Sequence, residues 1–204
     1  YERPQKGRLR QFKQFGVECI GISNSMADIE VISLGHEFLK KLNVTDNITL
    51  KINSLGDTDS RLTYRKVLIN YLNDYKFKLS KDSIKRLSEN PLRILDSKNE
   101  IDQKILINAP NVLDYLNEES KERFQNVCEG LNVLKIKYEI DKNLVRGLDY
   151  YCHTAFEFIT DQLGAQGTVL AGGRYDGLSK ILGGVDVAGV GWAAGIERLA
   201  LMVQ

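Results

Sequence analysis

Polar and apolar residues trade places along this chain in two rhythms, and the rhythm changes twice. In RLRQFKQFGVECIGI the alternation sorts the side chains into two sets: Arg8, Arg10, Phe12, Gln14, Gly16 and Glu18 against Leu9, Gln11, Lys13, Phe15, Val17 and Cys19. A period of two is that of a strand, whose successive side chains face opposite ways. Gly21 reads as the turn that ends it. SMADIEVISLGHEFLKKL then brings Ile29, Ile32, Leu39 and Leu42 at near-helical spacing, behind Ser25 as a candidate cap. ITLKINS alternates again at Ile48, Leu50 and Ile52, as a half-buried strand does.

From 57 to 133 the pattern turns helical, charged and poor in glycine. DSRLTYRKVLINYLNDY, KDSIKRLSE and NEESKERFQNVCEGLN are short amphipathic pieces broken near Pro91 and Pro110. Gly130 is the one glycine between Gly56 and Gly147. After 133 strand signals return in KIKYEI, TAFEFIT, GTVLAGG and AGVGWAA, with IERLALMV as a closing helix. Short strands without long helices between them predict an antiparallel sheet. The fold class is therefore α+β, an antiparallel sheet flanked by helices, with core segments 1–56 and 134–204 around a helical insertion at 57–133.

A length of 204 residues with 43% hydrophobic content suits one soluble domain carrying an inserted subdomain. The net charge of +1 announces no nucleic-acid partner by field alone. No apolar run reaches the roughly 20 residues of a membrane span, and no signal peptide opens the chain. Cys19, Cys128 and Cys152 are odd in number and hold no C-x-x-C pair, which points to a reducing compartment and away from a disulfide framework or a structural zinc site. His36 and His153 are the only histidines.

Ten of the 17 glycines fall between Gly164 and Gly195, and arginines, tyrosines and acids cluster with them. LVRGLDYY sets Arg146 beside Gly147, then Asp149, Tyr150 and Tyr151; AGGRYDGL sets Arg174, Tyr175 and Asp176 after Gly172 and Gly173. In AGVGWAAGIERL, Gly189 and Gly191 alternate as a smooth floor for a flat ring, and a helix begins near Ala194 with Arg198 in its first turns. Arginine grips phosphate or carboxylate with two N–H groups at once, and a helix N-terminus favours anions. On the first strand, Gln14 and Glu18 lie roughly 13 Å apart at about 3.3 Å per residue, with Gly16 leaving room between them. That stripe suits a small zwitterion, or else is a solvated face of ordinary antiparallel sheet. Neither a phosphate loop nor a strand-to-helix G-x-G-x-x-G is present.

These stretches together resemble a known family. YERPQKGRLRQFKQFGVECIG is similar to motif 2 of class II aminoacyl-tRNA synthetases, and GVGWAAGIERL to motif 3. LVRGLDYY and AGGRYDGL resemble the two signatures of the histidyl-tRNA synthetases, as does NPLRILDSK in the insertion. The resemblance implies a two-step reaction: L-histidine and Mg-ATP form histidyl-adenylate, and the histidyl group then passes to the terminal ribose of tRNA(His). It implies that Glu2 contacts adenine, that Arg8 and Arg198 hold phosphates, and that Gln14 orients the amino acid. Arg146 would stand at the α-phosphate, Glu18 would read the imidazole, and Tyr151 and Tyr175 would enclose it. Arg146, Arg8 and Gln14 are then the catalytic groups, the site holds no resident metal, and ATP with Mg2+ is the cosubstrate. A carboxylate nucleophile needs positioning and charge neutralisation rather than a base. His36, His153 and the cysteines are accordingly structural, and Trp192 packs beneath the glycines.

The family also implies a cytoplasmic homodimer, with KFKLSKDSIKR a candidate tRNA contact or a solvated face. Beginning at Tyr1, inside motif 2 and without Met, the chain reads as an internal piece of a longer protein. The family's preceding arginine, motif 1, an upstream acidic loop and an anticodon-binding domain are not in it, so the piece alone is expected to activate histidine poorly. Two rivals share the fold: a synthetase-like regulatory subunit of histidine biosynthesis, and a kinase-attached domain that binds uncharged tRNA. Retention of Arg8, Arg146 and Arg198 with intact signatures favours the enzyme.

Overall fold

The first alternation becomes β1 (Gln14–Ile20), in which every second residue is exposed while Phe15, Val17 and Cys19 turn toward the core. A computed structural model of the chain describes residues 9–163 and 167–203. β1 lies antiparallel to β6 (Gly189–Gly195), and the sheet continues through β5 (Thr168–Arg174), β4 (Cys152–Ile159), β2 (Thr49–Ser54) and β3 (Glu139–Ile140). Every pairing is antiparallel except the short parallel join of β2 to β3. Of KIKYEI, expected to be a strand throughout, Glu139 and Ile140 alone pair, because the residues before them leave the sheet edge.

Helix α1 (Ser25–Lys41) crosses one face of this sheet. Its cap is Asn24, not Ser25: Asn24 is extended and its Oδ1 accepts the Met26 N–H at 3.1 Å, while Ser25 is already helical. Helix α5 (Glu118–Val133) packs beside α1, so close at Gly130 that an added Cβ would fall 2.3 Å from Ile29 Cδ1. Val31, Ile32 and Leu39 of α1, Val127 and Leu131 of α5, and Ile52, Phe156, Phe158, Leu170 and Trp192 of the sheet form one buried core. Each such side chain contributes about 1.5–3 kcal/mol on burial. Trp192 sits beneath the sheet as expected, donating its indole N–H to the Val31 carbonyl at 2.9 Å and meeting the rings of Phe15 and Phe38.

Between β2 and α5 the chain forms α2 (Thr58–Asp74), α3 (Lys81–Glu89) and α4 (Glu100–Leu106), joined by single 3-10 turns. These helices bury a second core of Tyr64, Leu68, Leu72, Leu87, Ile94, Ile105 and Leu106. The helical segment read as one insertion thus divides its allegiance, since α5 packs with the sheet. Two interlocked caps mark the point of return. Asp57 caps α2 through the Ser60 N–H at 2.8 Å, and Asn117 caps α5 through the Ser120 N–H at 2.9 Å. The Asn117 amide also donates to Asp57 Oδ2 at 2.8 Å, and the Asp57 N–H to Ser120 Oγ at 3.3 Å. Departure and return are therefore stapled together. A short α6 (Leu178–Ile181) precedes β6, and α7 (Ile196–Val203) follows it. Among the described residues no helix is long and apolar enough to cross a membrane.

Candidate active site

Sheet register sets Glu18 of β1 opposite Gly191 of β6, and Gly191 opposite Gly173 of β5. The sheet face away from α1 is thus bare backbone at Gly173, Gly189 and Gly191, and three side chains use that bareness. An added Cβ on Gly191 would lie 1.7 Å from Glu18 Oε2, one on Gly189 2.4 Å from Tyr175 Cε2, and one on Gly173 3.0 Å from Tyr151 Cδ1. The ring that lies on the glycine floor is the protein's own Tyr175. Its hydroxyl donates to Glu18 Oε2. Burial raises the Tyr175 pKa well above the usual phenol value and the Glu18 bond adds to this, so the hydroxyl keeps its proton as a donor.

Tyr150 joins the group, its ring centroid 4.7 Å from that of Tyr151 and 6.3 Å from that of Tyr175. Tyr151 and Tyr175 meet edge-on at 6.2 Å. Three aromatic walls therefore stand around one carboxylate. Of the paired tyrosines in LDYY the resemblance gives a role to Tyr151 alone, and the structure adds Tyr150 to the same wall.

The Arg146 guanidinium lies 5.3 Å from the centre of the Tyr151 ring and donates to Glu157 Oε1 at 2.7 Å. The other Glu157 oxygen accepts the Thr168 hydroxyl at 3.1 Å, and the Thr168 carbonyl accepts from Arg198, in the first turn of α7. Two cations from distant parts of the chain thus meet around Thr168. Glu157 stands on the same face as Glu18, one register row along, in line with Ala171, Ala193 and Gly16. Burial raises its pKa, and Arg146 and then Thr168 pull the other way. Glu157 lies outside the stretches that carry the resemblance, although a carboxylate between Phe156 and Phe158 on a central strand signals a polar pocket.

Gln14 lies at the far end of β1, opposite Gly195, and a Cβ on Gly195 would sit 3.5 Å from Arg198 Cγ. Gln14 and Arg198 therefore mark one end of the site and Glu18 and Tyr175 the other, with the Glu157 row between. Gly16 does more than leave room: a Cβ there would fall 2.4 Å from the Trp192 carbonyl oxygen. Glu2 and Arg8, expected at adenine and phosphate, lie outside the described residues.

Arg174, from the second glycine-rich stretch, belongs to the core instead. One position along β5 from Gly173, it faces α1 and is 0% exposed. All five of its N–H donors find acceptors. Nε donates to Asp28 at 3.0 Å, Nη2 to Asp28 at 2.6 Å and to the Asn24 carbonyl at 3.1 Å, and Nη1 to Asp176 at 2.8 Å and to the Ile22 carbonyl at 3.1 Å. The matching arginines of the two stretches therefore serve opposite faces of the sheet, while Tyr151 and Tyr175 share one. The first stretch is held from the second core: Arg61 Nη1 donates to the carbonyls of Asp149 at 2.8 Å and Tyr151 at 2.6 Å, and Asn90 to Asp149 Oδ1 at 2.7 Å.

With this geometry in place, comparisons with known proteins agree on one family. The family model described as histidyl-tRNA synthetase matches residues 1–199. A histidine–tRNA ligase of Rhodospirillum rubrum is 57% identical over 203 residues, covering 100% of this chain and 49% of that protein. The chain therefore spans about half the length of the curated relatives it matches. The crystal structure of apo S. aureus histidyl-tRNA synthetase superposes with a TM-score of 0.75 at 38% identity, covering 95% of this chain and 47% of that one. A Bacillus halodurans structure described as an ATP phosphoribosyltransferase regulatory subunit/histidyl-tRNA synthetase has a TM-score of 0.65 at 22% identity over 95% of this chain and 54% of that one, which shows a shared fold.

Proposed function

Because the chain belongs to the histidyl-tRNA synthetase family, we propose that the protein it forms part of activates L-histidine with ATP and transfers it to tRNA(His). One observation carries this: a carboxylate walled by three tyrosines lies on the same sheet face as two arginines gathered around Thr168. The first suits an imidazole and the second a triphosphate.

Histidine enters with its ring between Tyr150, Tyr151 and Tyr175. Glu18 accepts one imidazole N–H, and the Tyr151 hydroxyl meets the other ring nitrogen. A site built to satisfy both nitrogens penalises analogues that cannot pair with it. Gln14 orients the reacting end. The histidine carboxylate attacks the α-phosphorus of ATP and pyrophosphate leaves. Arg146 neutralises the charge that grows on the α-phosphate, Arg198 and Arg8 hold the outer phosphates, and Glu2 faces adenine. Mg2+ arrives with ATP and shields its phosphates. Glu157 fixes Arg146 before substrate arrives, so the cation is aimed in advance. The terminal ribose hydroxyl of tRNA(His) then attacks the acyl carbon and AMP departs.

The helices between the interlocked caps at Asp57 and Asn117 make the inserted subdomain, which approaches the tRNA acceptor arm. Phe77, fully exposed among Lys76 and Lys78, is its candidate contact. The working enzyme is a cytoplasmic homodimer, and the exposed Ile181, Leu182 and Val185 supply apolar surface for a partner copy. ATP–pyrophosphate exchange by the full-length protein tests the proposal: exchange should require histidine among the amino acids. Exchange driven better by another amino acid, or none at all, overturns it.

A further inference from the structure

β4 opens with Cys152 and His153, next to Tyr151. Adjacent strand residues point to opposite faces, so the sequence alone does not bring these two side chains together. A bulge does. His153 has φ +47°, and the β4–β5 register shifts between Cys152 and Ala155. The kink is held from both sides, by the His153 N–H to the Gly56 carbonyl at 2.8 Å and the Leu55 N–H to the His153 carbonyl at 2.7 Å. A left-handed residue other than glycine is strained and persists where the surroundings impose it; bulges commonly re-aim a side chain. Here the outcome is that a Cys152 sulfur, a His153 ring nitrogen and an Asp176 carboxylate oxygen all lie within 4.8 Å of one another.

We propose that Cys152, His153 and Asp176 bind one divalent transition-metal ion of the zinc class, with a fourth position open to solvent. Thiolate, imidazole and carboxylate are the donors zinc takes, and three protein ligands plus one open position is a recurrent zinc arrangement. The carboxylate is oriented in advance: Asp176 Oδ1 accepts from Arg174 at 2.8 Å and from the Gly189 N–H at 3.1 Å, so both outer contacts fall on one oxygen. His153 Nδ1 is buried without a hydrogen-bond partner. Burial pushes the Cys152 thiol up to about 11 and the Asp176 backbone N–H aimed at its sulfur pulls only part of the way back, so the proton leaves when the ion itself takes its place. All three donors line a cavity of about 420 Å³ that also holds Asp57, Asp149, Arg61 and Lys180. The two cations there are turned elsewhere, Arg61 to backbone carbonyls and Lys180 toward Asp186 at 3.8 Å. On binding, the S–H bond is replaced by an S–metal bond and the thiol proton leaves to solvent. The ion would join the neighbour of Tyr151 to the neighbour of Tyr175, and so fasten two walls of the tyrosine pocket.

The test is a Co2+ titration of the full-length, metal-stripped protein, followed by competition with Zn2+. Expected are one equivalent of Co2+ with a thiolate-to-cobalt charge-transfer band, loss of that band in Cys152→Ser, its survival in Cys19→Ser and Cys128→Ser, and at least about tenfold weaker binding in Asp176→Asn. In parallel, Zn2+ should protect Cys152 of the unsubstituted protein from alkylation, read by mass spectrometry, whatever the folding of the variants. No charge-transfer band, a band that survives Cys152→Ser, or no protection of Cys152 overturns the proposal.

Discussion

The hydroxyl of Tyr175 donates to the carboxylate of Glu18, joining the second glycine-rich stretch to the first strand across 157 positions of sequence. The pair fixes the carboxylate over Gly191, where no other residue leaves space. A hydrogen bond to a charged group contributes about 1.5–3 kcal/mol, and 1.4 kcal/mol is tenfold in affinity. Glu18→Gln should therefore raise KM for histidine about 10- to 100-fold in pyrophosphate exchange by the full-length protein. Tyr175→Phe, which frees the carboxylate without removing it, should raise it about tenfold. Unchanged KM in Glu18→Gln would mean that another group reads the imidazole.

Arg174 and Arg198 should separate cleanly when stability and activity are measured side by side. Arg174 is wholly buried against Asp28, and removing one partner of such a pair typically costs 3–5 kcal/mol. Arg174→Met should lower Tm sharply. Replacing both partners, as in Arg174→Met with Asp28→Leu, should recover much of the loss, because neither half of the fully buried pair is then left alone, and Asp176 is partly exposed and keeps the Gly189 N–H. Arg198 is half-buried in the first turn of α7, on the face proposed to take ATP. Arg198→Ala should leave Tm nearly unchanged while raising KM for ATP, by about tenfold or more for one charge-assisted contact. A Tm loss confined to Arg198→Ala would exchange the two roles.

Strand faces were legible because the period of two survives in the sequence: the inward set Phe15, Val17 and Cys19 is the one the alternation names. The same rule, applied one residue beyond Gly173, places Arg174 on the core face, but its partner Asp28 is 146 positions away. Nothing local marks a buried acid in the first turn of a helix, where an exposed acid is also favoured. The α5 packing was hidden likewise, since its amphipathic pattern states that one face is buried and not which core receives it. His153 is the extreme case: only the bulge, a product of tertiary pairing, sets it beside Cys152 and Asp176.

Asp102 should make the second core sensitive to acid. It is 0% exposed and accepts the Ser80 N–H at 2.9 Å and the hydroxyls of Ser80, Ser83 and Ser97 at 2.7, 2.7 and 2.6 Å. Burial pushes its pKa up, but the Ser80 N–H and then the hydroxyls of Ser83, Ser97 and Ser80 outweigh that, leaving it below its ordinary 3.8. The folded state thus binds the proton less readily than the unfolded one. Its stabilisation is complete above the ordinary value and is lost as pH falls through 3.8 toward the depressed one. Asp102→Ala should cost about 3 kcal/mol at neutral pH by stranding several donors, and should flatten the pH dependence of urea unfolding in that acid window. An unaltered slope would place the acid-sensitive group elsewhere.

Arg61 and Asn90 hold one loop from two helical segments, and their effects should be coupled. Arg61 reaches the carbonyls of Asp149 and Tyr151, and Asn90 the Asp149 carboxylate, so both fix the backbone that presents Tyr150 and Tyr151. Their hydrogen bonds end on the loop itself and not on Glu18 or a tyrosine hydroxyl, so they act as positioning residues through Tyr151. Arg61→Ala and Asn90→Ala should each raise KM for histidine several-fold to tenfold with a smaller change in kcat, because ring placement governs binding before chemistry. Once one contact is gone the loop is already loose, so the double variant should lose less than the sum of the single losses, with a coupling of about 0.5–3 kcal/mol. The measurement is a double-mutant cycle on kcat/KM for histidine in the full-length protein. Strictly additive losses would show that the two side chains hold separate pieces of the loop, and equal losses in kcat and kcat/KM would place their effect on the chemical step instead.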